Sequence, residues 1–314
     1  MADDEIAQER RKTMKNLKRY RTLLLMTMPA LIYLLINNYL PMFGIIIAFK
    51  DLNFSKGIWG SDWVGFANFE YLFRTADAFL ITRNTLLYNT VFIVLGTILS
   101  VGAAILLNEV KQKLMSRFYQ SIILMPFLIS MVIVAYLGIA MLDVENGFLN
   151  RQILPLLGIE PISWYGEPKY WPYILTIINM WKSVGYSSII YFAAVIGIDH
   201  EYYEAATIDG ASRWQQILKI TIPLIMPIIT VLVLLSIGRI FYSDFGLFYQ
   251  VPLNSGALQS TTDVLDTYVF RALMTLGDFG MASAAALYQS FVGFILVVLA
   301  NYVVSKRSKD QALF

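Results

Sequence analysis

The sequence predicts an all-α polytopic membrane protein with six transmembrane helices and both termini in the cytoplasm. Three observations carry that prediction. The chain of 314 residues is 57% hydrophobic and only 15% charged, whereas soluble globular domains carry about 25% charged residues. Six apolar runs approach or exceed the roughly 20 residues that cross a bilayer as helix: Leu23–Leu40, Thr85–Leu107, Ser121–Leu142, Tyr173–Ile198, Ile222–Phe241 and Ala284–Val304. The cations between these runs are also uneven. With the N-terminus inside, inner segments hold 15 of the 24 lysines and arginines and outer segments hold 7, the asymmetry that sets orientation in membranes.

Taken in order, residues 1–22 form a cytoplasmic tail that opens with Asp3, Asp4 and Glu5 and then turns basic, from Arg10 to Arg21. Such a tail imitates the start of a signal peptide. The apolar stretch after it is too long and lacks a small-residue cleavage site, so it reads as an uncleaved first span. Residues 23–304 read as a single six-span domain, and 305–314 as a second cytoplasmic tail with Lys306, Arg307 and Lys309. The inner connection 108–120 is short and basic. The outer connections 50–83, 143–172 and 242–283 are long and mix turn residues with Trp59, Trp63, Trp164, Tyr165, Trp171 and Tyr249. Trp and Tyr favour the membrane–water interface, which reads many of these as belt residues. There is no internal repeat.

Several chemistries are excluded. With no cysteine there is no disulfide, thiolate metal site or cysteine nucleophile. The single histidine, His200, rules against a histidine metal site or catalytic triad and reads as a solvated helix-start residue. No phosphate-binding loop, His-Glu-x-x-His or Gly-x-Ser-x-Gly motif occurs. The expectation is a chain with no catalytic or metal-ligating residues and no cofactor of its own. A net charge of +2 gives no nucleic-acid signature; the bilayer is the expected surrounding.

Residues 199–223 form a polar island between two apolar runs. Asp199 is placed to cap a short helix over Glu201–Asp209, with acidic side chains in its first turn where the helix dipole favours them. Gly210 falls where a left-handed residue ends a helix. Ser212-Arg213-Trp214-Gln215 reads as a capping box opening a second helix. Pro223 and Pro227 then fall at the first turn of the next run, where proline is tolerated. Ala205 and Ala206 leave one face nearly bare, open to close approach by a partner. The segment is either a docking element of this kind or an ordinary amphipathic connector.

Polar groups inside spans are costly and face protein or water. Asn179, Lys182 and Tyr186 share a helical face by three- and four-residue spacing, as do Ser236, Arg239 and Ser243, with Asp244 following at the outer end. Both cations fall in the outer half of the membrane. One reading is a cavity suited to a sugar, whose hydroxyls need hydrogen bonds and whose apolar faces stack on rings; the cations would favour an acidic sugar such as a uronate. The alternative is that Lys182 and Arg239 snorkel to headgroups, or that Arg239 pairs with Asp244. Gln289, Tyr288, Asn84 and Asn89 are weaker candidates, since such residues commonly bond one helix to another. The run Ala282–Ala286 reads as a close packing site.

The polar island also carries a motif. Glu204-Ala205-Ala206, three residues, Gly210, nine residues, then Ile220-Thr221-Ile222-Pro223 resembles the EAA loop of binding-protein-dependent ABC importer permeases, with Ile222 where the pattern has Leu. Supporting stretches include Pro29-Ala30, Tyr39-Leu40-Pro41-Met42, Ala48-Phe49-Lys50-Asp51, Trp63-Val64-Gly65, Arg83-Asn84-Thr85-Leu86 and Gly238 to Phe245. Together they resemble the carbohydrate-type permeases related to the maltose system, closest to the LplB-like oligosaccharide and polysaccharide branch.

The resemblance implies a type I ABC importer permease fold in the cell membrane. It implies a heterodimer with a second, homologous permease, and two ATP-binding cassette subunits that carry ATP and Mg. An extracellular sugar-binding lipoprotein would deliver oligosaccharides or polysaccharide fragments. Tyr203, Glu204, Ala205, Ala206, Asp209, Gly210 and Pro223 would be the ATPase-coupling residues. An ion-coupled secondary transporter, driven through the intramembrane charges, is the alternative; that class often shows inverted repeats, and none is present.

Overall fold

The structure, a computed structural model, describes residues 20–74 and 76–307. Nearly all of the basic N-terminal tail, and residues 308–314 of the C-terminal tail, lie outside the described residues. The chain divides into two compact units, residues 1–68 and 69–314.

In the first unit, helix α1 (Arg21–Leu34) continues through a π turn at Leu35–Tyr39 and a 3-10 segment at Phe43–Phe49. The helical stretch Arg21–Phe49 is 29 residues, longer than the expected Leu23–Leu40. No residue of α1 is buried. It ends in a small antiparallel hairpin, β1 (Lys50–Asp51) with β2 (Asp62–Trp63), in register Lys50 to Trp63. This is the one sheet among the described residues of an otherwise helical chain. Lys50 is buried because its ammonium replaces water with two carbonyls, those of Ile58 at 2.9 Å and Trp59 at 3.0 Å.

The second unit holds α2 (Ala76–Asn108), α3 (Lys113–Leu128), α4 (Met131–Leu142), α5 (Trp171–Ile196), α6 (His200–Ile208), α7 (Ile222–Gly238), α8 (Leu265–Met274) and α9 (Phe279–Arg307). Helix α5 is the hub, packed along α2 and α3, while α9 packs on α7 and α8. Four helical stretches are continuous candidates for membrane spans, and the count reaches six when each of two bent pairs is one span.

The bends correct two expectations. The third run, Ser121–Leu142, is not one helix: α3 and α4 meet at 91°. Pro126 removes a backbone donor near the end of α3. Ser130, extended at ψ 150, then accepts from the Ile133 N–H at 3.4 Å and caps α4. On the fifth run the helix starts already at Arg213 and continues to Gly238. Pro223 follows a π turn at Ile217–Thr221, where the missing ladder bond is absorbed. Pro227 lies inside α7 rather than in its first turn.

The long connections 143–172 and 242–283 are folded, not draped. Trp171 is fully buried in a cluster with Tyr88, Val134, Leu175, Leu247, Phe248 and Val251, so it is a core residue and not part of a belt. Asn150 organises 143–172. Its amide donates to the carbonyls of Asp143, Val144 and Ile162 and accepts from the Ile162 N–H and the Trp164 indole, at 2.9–3.3 Å. Ala282, Ala284 and Ala285 are buried, as a small-residue run at a helix contact requires.

Candidate functional site

Two features stand out in the second unit: a polar cavity and a projecting helix. The cavity, about 800 Å³, opens between α2, α5, α7 and the turn after α7. Of the eight residues the sequence assigns to a substrate site, Asn179, Tyr186, Ser236, Arg239, Ser243 and Asp244 line it. The structure brings together residues separated by 65 positions because α5 and α7 pack side by side against α2.

Arg239 is exposed at the cavity wall, and among the described residues no side-chain hydrogen bond or ion pair engages it. In particular it does not pair with Asp244, whose carboxylate instead accepts from the Leu247 N–H at 3.1 Å. The turn that presents Arg239 is held from behind. Asp266 on α8 accepts from the Ser243 N–H at 2.7 Å and from the Gln289 amide at 3.4 Å, and Gln289 also donates to the Phe241 carbonyl at 2.9 Å. Burial pushes the Asp266 carboxyl above its ordinary value, against the opposing pull of those donors.

Two assigned residues therefore do not line the cavity. Gln289 is buried and bonds helix to turn. Lys182 donates to the Ile129 carbonyl at the break between α3 and α4, where a helix end leaves carbonyls unpaired and a cation meets the negative end of a helix dipole. The sequence reading underweighted Asn89, whose amide donates to the Ile240 carbonyl at 2.8 Å and to Ser243 Oγ at 3.2 Å from within the cavity. It missed Ser183 and Ser187, one and two helical turns from Asn179 and on the same side. Tyr186 stacks on Phe127, with centroids 4.6 Å apart and planes at 15°.

The projecting helix is α6, which leaves α5 at 69°. Asp199 caps it by accepting from the Glu201 N–H at 3.1 Å, so helix starts at His200, which is exposed. Gly210 has φ +76 and turns the chain. Ser212 and Gln215 close a reciprocal capping box. Cross-links that the sequence reading did not foresee hold the two helices together. Tyr203 OH and Thr221 Oγ1 are 2.8 Å apart, and the buried Gln216 donates to Thr207 Oγ1 at 3.0 Å and the Ala211 carbonyl at 3.3 Å. No residue of α6 is buried, Glu204, Ala205 and Asp209 are exposed, and Ile208 at its tip is 86% exposed.

A polytopic helical protein with a polar cavity and a rigid exposed helix at the foot of a span has the make-up of a membrane transport subunit. Residues 93–309 match the family described as binding-protein-dependent transport system inner membrane component, and the chain belongs to it. It is a multi-pass permease of the cytoplasmic membrane and, as a permease subunit, not itself the ATPase. That membership sets aside the ion-coupled alternative.

Among relatives, protein LplB of Bacillus subtilis is 37% identical, with 96% of this chain and 93% of that protein covered. The polygalacturonan/rhamnogalacturonan transport system permease protein YteP of Bacillus subtilis is 36% identical over 96% of this chain and 94% of its own. Among solved structures, a chain of a bacterial ABC transporter involved in import of the acidic polysaccharide alginate superposes with TM-score 0.85 at 32% identity, covering 95% of this chain and 99% of that one.

Proposed function

We propose that this chain is the membrane half of an ATP-driven importer of oligosaccharides bearing uronate groups, and that α6 is its coupling helix. The observation that carries the coupling role is the exposure of α6. A nine-residue helix that is doubly capped, cross-linked at its base and buried nowhere, with an isoleucine bare at its tip, is built to be covered by another protein. Isolated helices this short are marginal in water, and the capping and cross-links keep α6 folded until the partner arrives. The partner is a cytoplasmic ATP-binding cassette subunit, one of two, which carries ATP and Mg.

In this reading both termini are cytoplasmic, the permease domain spans residues 23–304 between the tails 1–22 and 305–314, and the coupling segment is 199–223. A second, homologous permease completes the pathway opposite the cavity, and an extracellular sugar-binding lipoprotein delivers the substrate. An unpaired guanidinium beside hydroxyls, amides and the Tyr186 ring suits a polyhydroxylated acid, since arginine and carboxylate form paired, charge-assisted hydrogen bonds. Alginate and polygalacturonan, named for the relatives, are polymers of that kind.

The test is co-purification of the ATPase with Glu204→Lys and Gly210→Pro. Proline cannot adopt the φ of +76 found at Gly210, so the turn is lost while the spans insert normally. The expected result is membrane-inserted permease without ATPase and without uptake. ATPase retained by both variants would remove α6 from the coupling role.

A further inference from the structure

A second cavity of about 210 Å³ lies on another side of α2, lined by Arg83, Asn84, Leu87, Tyr88 and Val91 of that helix with Pro172, Thr176 and Thr261. At 100° per residue, Leu87 is half a turn from Gly96 in the transport cavity, and Val91 is nearly opposite Ile93. The groove therefore faces away from the transport pathway.

Its chemistry changes along its length. At one end sits Arg83, exposed and, among the described residues, donating one bond, to Asn84 Oδ1 at 3.2 Å. Asn84 is itself fixed by the carbonyls of Ser260 at 3.3 Å and Asp263 at 3.1 Å, so the guanidinium is steadied while its other donors stay open. Beyond it, Leu87, Val91, Val94 and Ile98 form one exposed apolar stripe at three- and four-residue spacing. From Arg83 to Ile98 the stripe runs about 22 Å at 1.5 Å per residue, more than the roughly 15 Å of hydrocarbon in one leaflet. Pro172, Thr176 and Thr261 wall the groove beside Leu87, Tyr88 and Val91; both threonine hydroxyls already donate to carbonyls, at 2.6 Å and 3.0 Å.

We propose that this groove is a phospholipid site: Arg83 holds the headgroup phosphate and an acyl chain lies along Leu87, Val91, Val94 and Ile98. A soluble anion would use the cation and leave the stripe bare, and a pure hydrocarbon would use the stripe and leave the cation unpaired. A phospholipid matches both in the order in which they occur. The proposal is independent of the substrate and of the coupling role of α6.

The experiment is native mass spectrometry of the assembled transporter, stripped in detergent and titrated with phosphatidylglycerol, for wild type, Arg83→Gln and Thr176→Trp. Arg83→Gln removes a charge-assisted bond, for which about tenfold weaker retention of one lipid per permease is expected. Thr176→Trp fills the groove from α5 without touching the charge, and is expected to displace the same lipid. Equal retention by either variant overturns the site. A galactolipid without phosphate should not be retained; if it binds as well as phosphatidylglycerol, the contact is generic. If inorganic phosphate alone raises the melting temperature as much as the lipid does, the site belongs to a free anion and the lipid assignment fails.

Discussion

The two sides of α5 differ in one respect that organises the molecule: one is closed and the other is open. On the closed side a Cβ added at Gly185 would stand 1.8 Å from the Ile123 carbonyl, so α3 lies against α5 backbone to backbone. One turn away Lys182 closes the break after α3. On the open side Asn179, Ser183, Tyr186 and Ser187 face the 800 Å³ cavity. The same helix then bends by 69° into α6. A rod fixed along one face and lining a space with the other is suited to carry a displacement of α6 into the cavity wall, because tightly packed helices move together rather than deform.

The strongest way to break this contrast is Gly185→Val. Overpacking alone costs about 1–3 kcal/mol, and here the obstacle is backbone, which cannot rotate aside as a side chain can. The expected outcome is loss of folded protein by size-exclusion after extraction, with Gly185→Ala already strongly destabilised. Gly102→Ala on α2 is the control, since nothing lies within 4 Å of its added Cβ. It should melt within about 1 kcal/mol of wild type, and on the stabilised side because alanine is the better helix former. A folded Gly185→Val would mean that α3 and α5 separate readily and that the closed side is not a fixed contact.

Lys182→Met is the next largest. It keeps the stem of the side chain but leaves the Ile129 carbonyl unpaired at the α3–α4 break, for an expected loss of about 1–3 kcal/mol. Substrate affinity per folded transporter should be unchanged, and Lys182→Arg should recover most of the stability. The reverse pattern, normal melting with weakened substrate binding, would return Lys182 to the cavity. The sequence reading placed it there because Asn179 and Lys182 are three residues apart. Three residues fall 60° short of a full turn, and Gly185, three further on, falls 120° short. Lys182 thus sits at the border of the two faces, and its long side chain reaches to the closed one.

That border explains what was legible. The shape of 199–223 could be read because caps and turns are local: Asp199, Gly210 and the Ser212–Gln215 box each act within four residues, and each is formed. The number and positions of apolar runs were legible for the same reason, since periodicity and length are properties of one stretch. The break at Ile129–Ser130 was not, because the apolar pattern runs through it and only Pro126 hints at it. Asn150 looks like any loop asparagine until the carbonyls of Asp143, Val144 and Ile162 converge on it. Trp171 reads as a belt residue until Leu247, Phe248 and Val251 fold over it. In each case the missing information lay in a partner distant in the chain.

The smallest stability effect is expected on the open side, at Arg239→Ala. No side chain among the described residues engages the guanidinium, so melting should shift by no more than about 0.5 kcal/mol, the usual range for a surface substitution. Uptake should separate by substrate. An arginine paired with a carboxylate through charge-assisted hydrogen bonds contributes about 1.5–3 kcal/mol, so uronate oligosaccharides should lose about tenfold or more in apparent affinity. Neutral oligosaccharides of the same length should lose little. Equal losses for both would make Arg239 a general hydroxyl donor and the cavity indifferent to charge. A large drop in melting temperature would mean that the open side, like the closed one, is part of the scaffold.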